Sequence, residues 1–373
     1  MKAWSILAIF VIQILLLLSH WLVFSTFVAF LPGLAPGLVI DLRVTMLILA
    51  FSFVVASLLS YRFTNFAVSA VYWIAAIWLG FLNFFFWASL LVRIAWLALR
   101  LLHQAVNPTT ARPILATVFY GITVLAGVYG LINARILRTR RVTVQLPNLP
   151  ASWRGRRAVL LSDLHLGPIN GARFSRRLVR MAARFQPDVV FLAGDLFDGT
   201  HADLDRVLAP FQSLTTPFGI FFSTGNHEEF TAATHYLDAI TRAGIRVLAN
   251  ESTAIDGLQV AGVLYQDSTH IIRMKAFLDG LALDRSRPCI LLNHAPIRLP
   301  IVEQAGVALQ LSGHTHGGQF IPFTWITRSI FGPFTSGLHR FGKLQVYTST
   351  GAGTWGPPMR VGSASEIVVI EFK

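Results

Sequence analysis

The sequence predicts a multi-span α-helical membrane bundle followed by an α/β globular domain, and three observations carry that prediction. Of 373 residues, 54% are apolar and only 13% charged, against about 45–50% and about 25% for an ordinary soluble domain. The charge is also unevenly placed: Met1 to Ala134 hold six basic residues (Lys2, Arg43, Arg62, Arg93, Arg100, Arg112) and one acid (Asp41), while the remainder holds 25 basic and 17 acidic residues. Beyond Ala134 the apolar runs shorten and end abruptly in polar, glycine-containing turns, as buried strands of an α/β sheet do. Disorder and a wholly soluble fold both fit these observations poorly.

Ser5 to Phe30 carries no charge and is long enough, at about 1.5 Å per residue, to cross about 30 Å of hydrocarbon. A cleaved signal peptide has a shorter apolar core and a small-residue cleavage site, so this segment reads as an uncleaved span. Val44 to Leu59 is the second span, between Arg43 and Arg62, and the Pro32-Gly33 and Pro36-Gly37 pairs make the loop before it. Phe66 to Val92 is the third and Pro113 to Ala134 the fourth. Between them, Arg93 and Arg100 fall on one helical face of Arg93 to Ala105, which favours an interfacial helix over a fifth span. Val142 to Leu146 alternates like a strand, and Pro147 to Arg157 is a polar connection. The expected organisation is a membrane domain over 1–134, a basic juxtamembrane linker with a first strand over 135–157, and a globular domain over 158–373.

The net charge of +13 belongs mostly to the membrane flanks. Arg135, Arg138, Arg140, Arg141, Arg154, Arg156 and Arg157 come without an acid among them, whereas from Ala158 onward 18 basic residues face 17 acidic ones. Anionic headgroups are therefore the expected partner, and a nucleic acid is disfavoured. With four spans, Lys2, Arg62 and the Arg135 to Arg141 cluster share one side, and Arg43, Arg93, Arg100 and Arg112 the other. That bias places both ends, and the globular domain, on the cytoplasmic side of the cell's inner membrane; a fifth span would reverse the domain. The single cysteine, Cys289, excludes an intrachain disulfide and a CxxC metal site, and its run Cys289-Ile290-Leu291-Leu292 reads as buried.

Five strand-like runs end in residues able to bind metal. Ala158 to Leu161 leads into Ser162-Asp163-Leu164-His165, Val189 to Leu192 into Ala193-Gly194-Asp195, and Gly219 to Phe222 into Gly225-Asn226-His227-Glu228. Ile290 to Leu292 leads into Asn293-His294, and Ala308 to Leu311 into Gly313-His314-Thr315-His316. Each pattern brings a strand's carboxyl end to one rim of a sheet. Five of the 11 histidines occur in these turns, and clustered His and Asp suit a mixed nitrogen and oxygen site for divalent metals.

In this order the DxH, GD, GNHE, later His and GHTH motifs resemble the calcineurin-like metallophosphoesterase superfamily, over about Val142 to the end of the sequence and with no motif residue substituted. Ser162 to Gly167, Gly313 to Gln319, and the late Met359-Arg360 followed by Glu366-Ile367 are similar to its membrane-associated bacterial branch, some members of which cleave the pyrophosphate of UDP-diacylglucosamine or other lipid-linked phosphoesters. The resemblance implies two mixed β-sheets face to face between outer helices. It also implies two divalent cations, with manganese, zinc, iron and magnesium all chemically suitable. Asp163, His165, Asp195 and His316 would hold one and Asp195, Asn226, His294 and His314 the other, with Asp195 bridging. A hydroxide shared between the cations would then attack phosphorus in line. His227 would stabilise charge on the phosphoryl oxygens or protonate the leaving oxygen, and Glu228 would hold the turn and orient His227.

Two regions flank these motifs. Arg173, Arg176, Arg177, Arg180 and Arg184 share one face of a helix expected over Ala172 to Phe185, either a solvated face or one that meets anionic lipid. After GHTH come Phe320, Phe323, Trp325, Phe331, Phe334 and Phe341, which could pack a strand or, with Trp355 and Met359, line the mouth of the site. The expected function is a membrane-anchored binuclear-metal phosphohydrolase acting on a phosphodiester or pyrophosphate of a lipid or lipid precursor. The alternatives are a phosphatase or phosphodiesterase for soluble nucleotides, and a regulatory metal-binding domain on a membrane transport protein.

Overall fold

The structure is a computed structural model describing residues 3–102, 107–229 and 233–373. It contains two compact units: 1–132 with 356–359, and 133–355 with 360–373.

In the first unit, helices α1 (Ala3–Phe30), α2 (Pro36–Ser60), α3 (Phe66–Leu101) and α4 (Pro108–Ala134) are each long and apolar enough to cross a membrane. Asn65 caps α3, its side chain accepting the Val68 N–H at 2.9 Å. α3 differs from expectation. The third span and the separate interfacial helix are one helix of 36 residues, about 54 Å long at 1.5 Å per residue. Arg93 does not break it, because its guanidinium donates to Thr26 Oγ1 at 2.7 Å and Ser25 Oγ at 2.9 Å on α1. The end of the expected interfacial segment, from His103 on, and Lys2 lie outside the described residues. α2 also begins earlier than expected and takes in Asp41 and Arg43.

The second unit is built on twelve strands: β1 (Leu137–Val144), β2 (Arg157–Leu161), β3 (Val189–Ala193), β4 (Ile220–Ser223), β5 (Arg246–Val247), β6 (Glu251–Ile255), β7 (Leu258–Gly262), β8 (Cys289–Leu292), β9 (Leu309–Ser312), β10 (Gly337–Phe341), β11 (Leu344–Thr348) and β12 (Ser365–Phe372). They form two mixed six-stranded sheets, ordered β1-β12-β2-β3-β4-β5 and β10-β11-β9-β8-β7-β6. β2 through β5 run parallel, as do β7, β8, β9 and β11. Strand β1 starts five residues before the expected Val142 and pairs in parallel with β12 along its whole length.

Alternation along the strands builds three apolar layers. Leu160, Phe191, Phe221, Ile290, Leu292 and Leu309 meet between the sheets. Their neighbours Val159, Leu161, Val190, Leu192 and Phe222 turn outward under helices α5 (Ala172–Ala183), α6 (Leu204–Leu208) and α8 (Ala233–Arg242). α7 (Asn226–Glu229) follows β4 directly. On the other sheet Cys289, Leu291 and Val346 turn outward under α10 (Ile271–Gly280) and α11 (Leu299–Gln304). The remaining helices are α9 (Tyr265–Thr269) and α12 (Phe323–Phe331). On α5, Leu178, Val179 and Ala182 face the sheet, and Arg173, Arg176, Arg177 and Arg180 are exposed; Arg177 donates to the Arg135 carbonyl at 2.9 Å.

Candidate metal centre

Strands β2, β3, β4, β8 and β9 all end at one rim, and the polar residues after them converge there. Asp163, His165, Asp195, His227, His294 and His316 are all buried. His165 Nε2 lies 3.1 Å from His316 Nε2, and His316 Nε2 lies 3.4 Å from Asp163 Oδ1. His294 Nε2 lies 3.2 Å from Asp195 Oδ2 and 4.0 Å from Asp163 Oδ1. His314 Nδ1 is 3.1 Å from Asn226 Oδ1. Potential ligand atoms fall into three groups mutually within 4.8 Å: Asp163, His165 and His316; Asp163, Asp195 and His294; and His165, Asp195 and His227. The sequence-predicted residues are thus brought together, and His227 stands among them.

Tight turns make this convergence possible. Asp163, His165, Asp195, His314 and His316 all have positive φ, between 47° and 70°, a left-handed conformation that strains non-glycine residues and concentrates at functional sites. Two glycines let the turns approach each other. A Cβ on Gly225 would strike the Asp195 carboxylate and backbone nitrogen, and one on Gly313 would strike the Asp163 carboxylate and Ser162.

The site suits a pair of cations by the chemistry of its donors. His294 Nδ1 donates to the Ala193 carbonyl at 2.7 Å, so its Nε2 is the ring atom turned toward two buried carboxylates, Asp195 Oδ2 at 3.2 Å and Asp163 Oδ1 at 4.0 Å. Two carboxylates converging out of water call for positive charge between them, supplied by a proton on His294 or by a cation that displaces it. Burial disfavours the His294 imidazolium, but Asp195 and Asp163 outweigh it and carry the ring up to about 10. Burial would raise Asp195, yet His294, His227 and His165 hold it well below the usual carboxylate range. Burial, then the His294 charge, lowers His314 to about 4. His227 is lowered by burial and by His165. Its Nδ1 donates to the Asp198 carbonyl at 3.0 Å, so proton exchange at this ring runs through Nε2.

Three supporting residues carry more than their motifs suggested. Glu228, fully buried, accepts the Asp195 N–H at 3.0 Å and the Gly225 N–H at 2.8 Å on Oε2, and the Phe197 N–H at 3.0 Å on Oε1. It clamps the β3 turn to the β4 turn; the orientation of His227 comes instead from Asp198, which sequence reasoning missed. Burial and the nearby Asp195 charge push the Glu228 carboxyl up to about 7 against those N–H groups. Arg360, also fully buried, donates to the carbonyls of His316 (3.0 Å), Thr350 (2.7 Å) and Gly353 (2.7 Å). The loop it grips meets the first motif, since Gly353 N–H donates to the Asp163 carbonyl at 2.9 Å.

The aromatic region after GHTH divides. Phe320 is buried, and Phe334 and Phe341 pack on the outer core of the second sheet. Phe323 and Trp325 are exposed. Phe331 stands edge-on 6.2 Å from His314, and Trp355 6.2 Å from His227. Met359 is buried, so it is not part of an exposed mouth.

Two facing mixed sheets and a rim of His, Asp and Asn at parallel strand ends define a metallophosphoesterase domain. The chain belongs to the calcineurin-like phosphoesterase family, whose model matches residues 156–318 and whose members are metal-dependent phosphoester hydrolases with a binuclear divalent metal centre. It is 34% identical over 263 residues to an uncharacterized metallophosphoesterase of Aquifex aeolicus, covering 98% of that protein and 68% of this chain. It is 35% identical over 271 residues to a transmembrane protein with metallophosphoesterase domain of Danio rerio, covering 68% of this chain and 61% of that protein. Against an uncharacterized metallophosphoesterase of Campylobacter jejuni the identity is 32% over 245 residues, covering 63% of each. The chain thus spans about three-fifths of the length of the zebrafish and Campylobacter relatives.

Proposed function

We propose that this chain is a membrane-anchored phosphohydrolase that cleaves a phosphodiester or pyrophosphate bond of a lipid or lipid precursor, with its catalytic domain on the cytoplasmic side of the inner membrane. One observation carries the reading: seven potential ligands, Asp163, His165, Asp195, Asn226, His294, His314 and His316, converge on one rim around two buried carboxylates, on a chain with four membrane-length helices. Asp163, His165, Asp195 and His316 would hold one cation and Asp195, Asn226, His294 and His314 the second. When bound, such cations neutralise phosphoryl charge and make a water acidic enough to serve as nucleophile near neutral pH.

The chain's own residues do the rest. Glu228 and Arg360 fix the backbone of the turns that present the ligands. His227, its Nδ1–H committed to the Asp198 carbonyl, offers Nε2 to the phosphoryl oxygens or to the departing oxygen. The cytoplasmic assignment is supported by the arginines that follow α4, and the lipid preference by the membrane anchor.

The test is hydrolysis of a panel of lipid and soluble phosphoesters by the purified protein, after metal stripping and separate add-back of manganese, zinc, iron and magnesium, with Asp195→Asn beside it. Activity should vanish on stripping, return with one or more metals and be absent in the variant. Metal-independent turnover, or wild-type rates in Asp195→Asn, would sink the mechanism. A preference for soluble nucleotides would overturn the substrate class alone.

A further inference from the structure

We propose that α12 and Trp355 form an apolar rim, with Arg328 at its edge, that inserts into the headgroup layer of an anionic bilayer, so that the metal centre works on phosphoesters presented at a membrane surface; this deepens, and rests on, the phosphohydrolase reading.

The rim is distinctive in burial. Of the eight large apolar side chains exposed among the described residues of the catalytic unit, five are Phe323, Trp325, Ile326, Ile330 and Trp355. α12 has no buried residue. At about 100° per residue its covered strip is Thr324, Thr327 and Phe331, and its exposed arc carries Phe323, Trp325, Ile326 and Ile330 with Arg328 at the edge. Trp325 is 67% exposed and Trp355 58%. Such a patch is uncommon on a soluble surface and marks a contact.

Charge identifies the occupant. From Gln304 to Ser365 the sequence contains no aspartate or glutamate, and Arg328, on α12 itself, is exposed; Arg340 and Lys343 lie instead at the β10–β11 turn at the far end of the sheet, where Glu303 accepts the Lys343 N–H at 3.3 Å. Tryptophan and isoleucine beside an exposed arginine, on a helix that carries no acid, match the headgroup level of an anionic leaflet, where Trp prefers to sit and Arg meets lipid phosphate. The chain also carries four helices long and apolar enough to cross such a bilayer. Location then links the rim to chemistry, because Phe331 touches His314 and Trp355 touches His227. A rim at headgroup depth sets the metal centre at the level of lipid phosphates.

The test uses the full-length protein in vesicles of phosphatidylcholine and phosphatidylglycerol. Single cysteines from Trp325→Cys and Ile330→Cys, and from Arg242→Cys on α8 as a solvent control, carry a bimane label; buried Cys289 stays unlabelled. Lipids spin-labelled near the headgroup should quench more than about half of the emission at 325 and 330 and leave 242 bright, with iodide showing the reverse order. In parallel, the double variant Trp325→Gln with Ile330→Gln should raise KM for a vesicle-borne phosphodiester about tenfold while hydrolysis of bis(p-nitrophenyl) phosphate stays within about twofold. Labels at 325 and 330 that remain open to iodide and untouched by lipid quencher overturn the proposal; a raised KM in that case assigns the rim to the substrate's own tail. Failure of the wild type to hydrolyse the soluble diester counts against the phosphohydrolase reading instead, and leaves the depth measurement standing.

Discussion

Replacing Glu228 separates a clamp from a proton carrier. Its two oxygens take three backbone N–H groups across two turns, at 2.8 to 3.0 Å and out of water. Glutamine can aim its carbonyl at the Asp195 and Gly225 pair, but then its amide faces the Phe197 N–H and that bond is lost. A hydrogen bond to a charged group contributes about 1.5–3 kcal/mol, which at about 2–4 °C per kcal/mol for a domain of this size lowers Tm by about 3–12 °C. Alanine orphans all three donors and should cost at least about 3 kcal/mol. Because the Asp195 N–H is among them, the Asp195 carboxylate shifts with the turn, and a displacement near 1 Å is enough to lose about 10²-fold in turnover. Scanning calorimetry of the purified protein, paired with diester hydrolysis, reads both quantities. Glu228→Gln that keeps its Tm and loses turnover would show a carboxyl acting in proton transfer, and Glu228→Ala with wild-type Tm and rate would refute the clamp altogether.

Further outcomes follow from neighbouring groups. Arg360→Lys should lose most of the activity despite keeping a positive charge, since one ammonium cannot span the carbonyls of His316, Thr350 and Gly353; hydrolysis rates and Tm close to wild type would contradict this. His227→Ala should slow substrates with poor leaving groups more than p-nitrophenyl esters if the ring protonates the departing oxygen, whereas an equal loss across a leaving-group series would assign it to electrostatic stabilisation. Burial pushes the Cys289 thiol up to about 12, so at pH 8 only about one molecule in 10⁴ is a thiolate; mass spectrometry after iodoacetamide treatment should find Cys289 unmodified until denaturant is added.

Much of this architecture was legible in the sequence because it is written in local patterns. Charge-free runs mark the spans, and five apolar runs ending in His, Asp or Asn mark the rim. What stayed hidden acts at long range or through the backbone. Arg93 reads as a helix boundary, but Ser25 and Thr26 on another helix satisfy it and α3 continues. Asp198 works through its carbonyl and Arg360 through carbonyls seven to 44 residues away, so neither side-chain type announces the role. The phenylalanines after GHTH look alike in sequence; only packing separates Phe334 and Phe341, on the core, from Phe323, in the open. The left-handed turns at Asp163, His165 and His316 were equally silent, since no glycine marks those positions.

The place of β12 has a consequence for how the protein is made. It lies between β1, which follows the last membrane helix, and β2, which carries the Asp163 turn. Val144 and Phe372 are register partners, and at about 5–20 residues per second the ribosome needs about 10–45 s to travel from one to the other. Through that interval β1 has no partner and β2 has only β3, and an unpaired strand edge invites misassociation. The first sheet is therefore the last to close, even though the residues gathered at the metal rim, Asp163 to His316, are all made before β12.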